Sequence, residues 1–93
     1  MGSLTPLKYD IRVKTLEYLI SQDEGKTLKE IARIIFPDDI LTADLRRKVF
    51  ASLQRISKLE HIEYRDNAWH KKETAPEYLE YLRKNRDYIV RAN

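Results

Sequence analysis

The 93-residue chain contains no cysteine. Disulfides, cysteine-ligated zinc and Cys/His nucleophilic sets are excluded, so a small core must be held by packing or by a partner subunit. With only two glycines, the chain has no glycine-rich phosphate loop. Its two histidines, His61 and His70, have no third ligand at metal spacing, and no Ser/His/Asp arrangement is present. The expectation is therefore a protein that is not an enzyme and takes no cofactor or metal. No apolar run approaches the roughly 18 residues of a membrane span. The opening Met1-Gly2-Ser3-Leu4 lacks the basic-then-apolar order of a secretory signal. That pattern predicts no membrane partner and a cytoplasmic location.

What is present is 42% hydrophobic and 35% charged residues, the balance of a folded chain, and at this length of one domain over 1–93. Few glycines, no cysteine and abundant Ile, Tyr, Lys, Arg and Glu point to a thermophilic source. The net charge of +3 is unevenly spread. Between Thr42 and Lys72 stand eight basic residues (Arg46, Arg47, Lys48, Arg55, Lys58, Arg65, Lys71, Lys72) and four acids (Asp44, Glu60, Glu63, Asp66), giving +4. The rest has ten basic and eleven acidic residues, giving −1. Phosphate neutralisation needs such an asymmetry, although a solvated basic helix face produces it too.

Local patterns divide the chain into six elements. Thr5-Pro6 opens a first helix over 5–21, with Tyr9, Val13, Leu16 and Ile20 on one face. Gly25 is the expected left-handed stop or turn residue behind it. Thr27-Leu28-Lys29-Glu30 is a capping box for a second helix over 27–36, which buries Leu28, Ile31, Ala32 and Ile35. Pro37 ends it, and Ile40 or Leu41 plugs the turn. Thr42 caps a third helix over 42–60, with Asp44 in its first turn and Leu45, Val49, Leu53, Ile56 and Leu59 as its apolar stripe. Rotation by ~100° per residue puts Arg47, Ala51, Gln54 and Lys58 opposite that stripe, flanked by Arg46 and Phe50.

From His61 the chain alternates polar and apolar with period two, and Asp66-Asn67 is two-residue turn chemistry. The result is a hairpin over 61–72 in which Tyr64 faces Trp69. Trp69 reads as a brace between hairpin and helix, with stacking on nucleic acid as its other use. Phe50 either packs on the second helix or touches a thymine methyl or a partner. Thr74-Ala75-Pro76-Glu77 repeats the capping-box pattern and opens a last helix over 74–92. Ala75, Tyr78, Leu82, Asn85, Ile89 and Ala92 fall at heptad spacing along it. That helix either packs on the first helix of its own chain or pairs with its copy. The surplus of Tyr78, Tyr81 and Tyr88, with Asn85 at a register-setting position, favours a homodimer whose interface also uses Leu82 and Ile89.

The string Leu53-Gln54-Arg55-Ile56-Ser57-Lys58-Leu59-Glu60-His61-Ile62-Glu63-Tyr64 resembles the passage from recognition helix into wing of the winged helix-turn-helix superfamily, of the form L-x-x-L-x-x-x-G-L-I-x-x. Glu60 stands where glycine is usual, and His61 where leucine is. With its terminal helix, the chain is similar to small dimeric regulators of the PadR kind. It is also similar to small archaeal plasmid and virus DNA binders, plasmid-partition proteins included. The resemblance implies a mainly α fold with a small β-hairpin, in the order α-α-α-β-β-α, ending in a dimerisation helix. It also implies a third helix in the major groove of double-stranded DNA, contacting it through Thr42, Ala43, Arg46, Arg47, Phe50 and Gln54. Arg47 and Gln54, which the helical rotation also selects, suit paired hydrogen bonds to guanine and adenine. Lys29 and the start of the second helix would hold phosphate, Lys58 would be a further DNA contact, and Arg65, Asn67 and Lys71 would set the wing on the duplex. The implied role is a nucleoid-associated transcriptional regulator, or a plasmid-partition or architectural protein. The other class is a protein-interaction winged helix inside a replication or transcription assembly.

Overall fold

The computed structural model describes residues 4–91. Its elements are α1 (Pro6–Ser21), α2 (Leu28–Ile35), α3 (Ala43–Lys58), β1 (Ile62–Arg65), β2 (Ala68–Lys71), α4 (Ala75–Lys84) and α5 (Arg86–Ile89). The architecture is mainly helical, with one two-stranded antiparallel hairpin.

The first three helices start where local chemistry places them. Thr5 accepts from the Lys8 N–H with Pro6 at the first helical position, and Thr42 accepts from the Leu45 N–H. Thr27 and Glu30 form a reciprocal capping box. α1 runs through the middle, against α2, α3, α4 and β2, so its buried face is wider than a single stripe. Ile11, Thr15 and Leu19 are shut in with Tyr9 and Leu16, while Val13 and Ile20 are only half-buried. Ile31, Ala32 and Ile35 of α2 meet Val49, Leu53 and Ile56 of α3 in the same core. At the α2–α3 turn Leu41 packs against that core, whereas Ile40 stands 87% exposed. Leu28 and Leu45 are half-buried, and Leu59 lies outside because the helix has already ended.

α3 closes at Lys58 through a left-handed residue. Glu60 has φ 68°, its N–H reaching the Ser57 carbonyl (2.9 Å) and the His61 N–H that of Ile56 (3.2 Å). This pair of bonds is the Schellman arrangement, whose left-handed position glycine usually occupies. Asp66 (φ 54°) and Asn67 (φ 62°) form the expected turn, and Tyr64 lies opposite Trp69 with ring centroids 4.9 Å apart. The backbone of Trp69 bonds on its other side to Lys26, N–H to carbonyl in both directions at 3.0 and 2.8 Å. Tyr64 and Trp69 are thus a non-hydrogen-bonded pair, the kind in which side chains approach closest.

Three sequence expectations are corrected. Gly25 does not have a positive φ; it is needed for space, because a Cβ there would collide with the His70 ring. Thr74 is not a side-chain cap for α4. Its hydroxyl donates to the Glu60 carbonyl (3.1 Å) and lies 2.7 Å from His61 Nδ1, a tertiary contact that outcompetes the local one. The last helix is not continuous: α4 stops at Lys84, and Asn85 (φ −111°, ψ 24°) turns its side-chain amide back to the Tyr81 carbonyl at 2.9 Å. Asparagine competes in this way with the helical backbone. After the single turn of α5, Val90 is extended and bridges in parallel to Leu4, tying the two ends of the described chain together. Ala92 lies outside the described residues.

Candidate nucleic-acid interface

α3 presents Arg47, Gln54 and Lys58 to solvent, opposite the buried Val49, Leu53 and Ile56. Arg47 leans toward Asp44 at 3.8 Å, and Lys48 pairs with the same carboxylate at 3.1 Å. Exposed pairs of this kind contribute about 0–1 kcal/mol and leave the cations available. Arg46, Lys29 and Lys58 make no ion pair among the described residues.

On one flank of this ridge lies a concavity of about 620 Å³ between the start of α2, α3 and the hairpin tip. It gathers Thr27, Leu28 and Lys29 from α2, Arg46 and Phe50 from α3, and Tyr64, Asn67 and Trp69 from the hairpin. Two cations and no carboxylate line it. Lys29 sits in the first turn of α2, where the helix dipole disfavours a cation and favours an anion. Phe50 stands edge-on to Trp69 with centroids 6.4 Å apart. Phe50 is 40% and Tyr64 57% exposed, while Trp69 is buried. Trp69 is thus the brace, and the two outer rings are the contactable aromatics. Tyr64 and Leu28 join the site only in three dimensions. Strand alternation puts Tyr64 on the core side with Ile62, but the hairpin overhangs the core and leaves it open.

The other sequence-selected residues divide. Ala43 and Thr42 are exposed at the start of α3, the Thr42 hydroxyl being used by the Leu45 N–H. Arg65 is held by Glu63 (3.3 Å) and Asp66 (3.5 Å) beside the hairpin turn. Lys71 is not with the group: its ammonium donates to the Ile20 carbonyl at 2.8 Å. There it satisfies the negative end of α1. It borders a shallow depression with Lys72, Glu60, Glu63 and Glu73, where three carboxylates outnumber two cations, a poor place for phosphate.

The capping box tunes one carboxylate nearby. The Thr27 backbone N–H, and then its hydroxyl, hold Glu30 below the usual carboxylate range. At the far end of α3, burial pushes the His61 imidazole down; Glu77 opposes this and Lys72 reinforces it. Because the Thr74 hydroxyl spends its proton on Glu60, His61 Nδ1 carries the hydrogen in their contact.

The residues expected to pair two copies are largely committed within one. Leu82 is 1% exposed in the core, and Tyr9 donates its hydroxyl to the Leu82 carbonyl at 2.9 Å. Tyr78 stacks on His61 with centroids 4.3 Å apart and accepts from Arg12 at 3.1 Å. Asn85 ends α4, and Ile89 is half-buried beside Leu4. Only Tyr81 (51%) and Tyr88 (67%) of the tyrosines expected there still point outward. Tyr78 and Leu82 therefore bind α4 to α1, and none of the heptad positions among the described residues is fully exposed. No helix of the described residues is long and apolar enough to cross a membrane. Comparison with family models, curated proteins and solved structures found no match to this chain.

Proposed function

We propose that this protein binds double-stranded DNA as a winged helix-turn-helix, with α3 in the major groove and the hairpin as its wing. The observation that carries the reading is the concavity that joins Lys29, Arg46, Phe50 and Asn67 without a carboxylate, beside the exposed Arg47–Gln54–Lys58 ridge. Arg47 and Gln54 read base edges, Phe50 meets a thymine methyl, and Lys29, Arg46 and Lys58 take phosphates. Arg65 and Asn67 set the wing on the duplex. Gel shifts at several salt concentrations test this. Arg46→Ala weakens binding to all sequences and flattens the salt slope by roughly one unit for its lost phosphate contact, whereas Arg47→Ala weakens binding and relaxes sequence preference. Lys71→Ala leaves the slope unchanged. Full binding by both arginine variants removes the reading.

The proposed unit is a homodimer on two half-sites about one helical turn apart, its copies meeting through Tyr81 and Tyr88, since Leu82 belongs to its own core. Light scattering that shows only the 11.1 kDa species at high concentration removes the dimer. The proposed role is transcriptional regulation or plasmid partition. A bounded palindromic footprint supports the first, and protection that spreads with concentration supports coating of DNA. The exposed Phe50 and Tyr64 favour one second reading, a protein-interaction module. That reading holds where DNA affinity is negligible at low salt and an acidic protein segment binds instead.

A further inference from the structure

α3 has a second concavity on its other flank. Arg46 and Lys48 lie about 160° apart around the helix, and Lys48 faces a cavity of about 220 Å³ between α3 and α1. Lys8 and Arg12 of α1 and Lys48 of α3 supply three cations, Ile11 and Ala51 an apolar floor, and Ser52 a hydroxyl. No carboxylate lines it.

Its polar groups are also incompletely satisfied. Ser52 is 9% exposed, and its Oγ has no hydrogen-bond partner. The buried Arg12 Nε also has none, although Arg12 Nη1 donates to the Tyr78 hydroxyl at 3.1 Å. They are the only buried side-chain polar atoms without a partner among the described residues, and both residues line this cavity. Leaving such groups unmet opposes folding, so their concentration at one place calls for an acceptor.

We propose that this cavity binds a small organic carboxylate with an apolar body. Both atoms are closed to solvent as the side chains stand, so the carboxylate supplies the missing acceptors once the Arg12 and Ser52 side chains turn toward the cavity: two oxygens match the side of a guanidinium at Nε, and one of them takes the Ser52 hydroxyl proton. Lys8 holds the charge at the rim, where Lys48 is shared with Asp44 at 3.1 Å, and the apolar body lies on Ala51 and the edge of Ile11. The cavity is smaller than the roughly 300–1,000 Å³ sites of drug-sized ligands, which limits the occupant to a single ring or short chain. The site stands independently of DNA binding.

The test is an NMR titration of the intact protein with sodium benzoate, with benzamide as its neutral isostere and with inorganic phosphate. Benzoate is expected to shift the amides of Arg12, Ala51 and Ser52 saturably at millimolar concentration, with benzamide and phosphate far weaker at those amides. Loss of one charge-assisted hydrogen bond weakens an anion by about tenfold. That loss is expected in Ser52→Ala, and in Lys8→Gln, which lies on the surface and leaves the fold intact. The proposal is overturned by non-saturating or scattered benzoate shifts, or by benzamide or phosphate matching benzoate. It is also overturned by benzoate affinity unchanged in Lys8→Gln.

Discussion

Two segments of this protein begin with the same four-residue pattern, Thr-x-x-Glu, and behave differently. At Thr27 the hydroxyl accepts from the Glu30 N–H and the Glu30 carboxylate accepts from the Thr27 N–H. At Thr74 the hydroxyl is turned away to the Glu60 carbonyl and His61. The difference is what stands nearby. Thr27 follows a loop that brings no competing acceptor to it, whereas Thr74 follows a hairpin whose base delivers the end of α3. A local motif decides geometry only where no tertiary partner offers a better bond. The same contrast holds for the helices that follow, since α2 keeps its predicted span while α4 is recruited onto α1 and broken at Asn85.

The strongest way to break the comparison is Leu82→Ala. If α4 belongs to the protomer core, the loss is that of any buried leucine, about 2–5 kcal/mol. The dependence of the denaturation midpoint on protein concentration should then be the same in Leu82→Ala as in the unaltered protein. A dependence that the substitution weakens would put Leu82 back into a seam between copies.

A finer comparison uses the two threonines. Thr27→Ala removes a working cap and is expected to lower stability by about 1 kcal/mol, with hydrogen-exchange protection falling first in α2. Thr74→Ala should instead perturb the junction of α3 and β1, read as a changed His61 ring resonance with the first turn of α4 unaffected. Loss of protection at the start of α4 would reinstate Thr74 as a cap.

These contrasts define what was legible in the sequence. The order of elements, the caps at Thr5, Thr27 and Thr42, and the Tyr64–Trp69 pairing depend on contacts within a few residues, and they match the structure. The solvent-facing residues of α3 were visible for the same reason, because one helix's rotation fixes which side chains face away from Val49 and Leu53. The pairing of Lys26 with Trp69, the docking of Lys71 on Ile20 and the binding of α4 to α1 depend on residues about 40 to 70 positions apart. No periodicity records such distances. The solvent-facing tyrosines were ambiguous on chemistry alone: Tyr78 and Tyr81 are three residues apart, yet one stacks on His61 and the other faces out.

The smallest expected effect concerns Glu60, where the sequence departs from the resembled pattern by lacking glycine. A side chain in the left-handed region costs roughly 1–2 kcal/mol. Glycine there removes that cost but adds unfolded-chain entropy of about 0.4–1 kcal/mol. The Glu60 carboxylate meets Lys72 at 3.4 Å on the surface, a contact of little weight. Its carbonyl, which receives the Thr74 hydroxyl, is retained by any residue. Glu60→Gly should therefore stabilise the protein by up to about 1 kcal/mol, read as a higher urea midpoint with unchanged slope. A lower midpoint would mean that the Glu60 side chain holds the hairpin base more strongly than its exposure suggests. The end of α3 would then resemble Thr74, a place where tertiary contact overrides local preference, rather than Thr27.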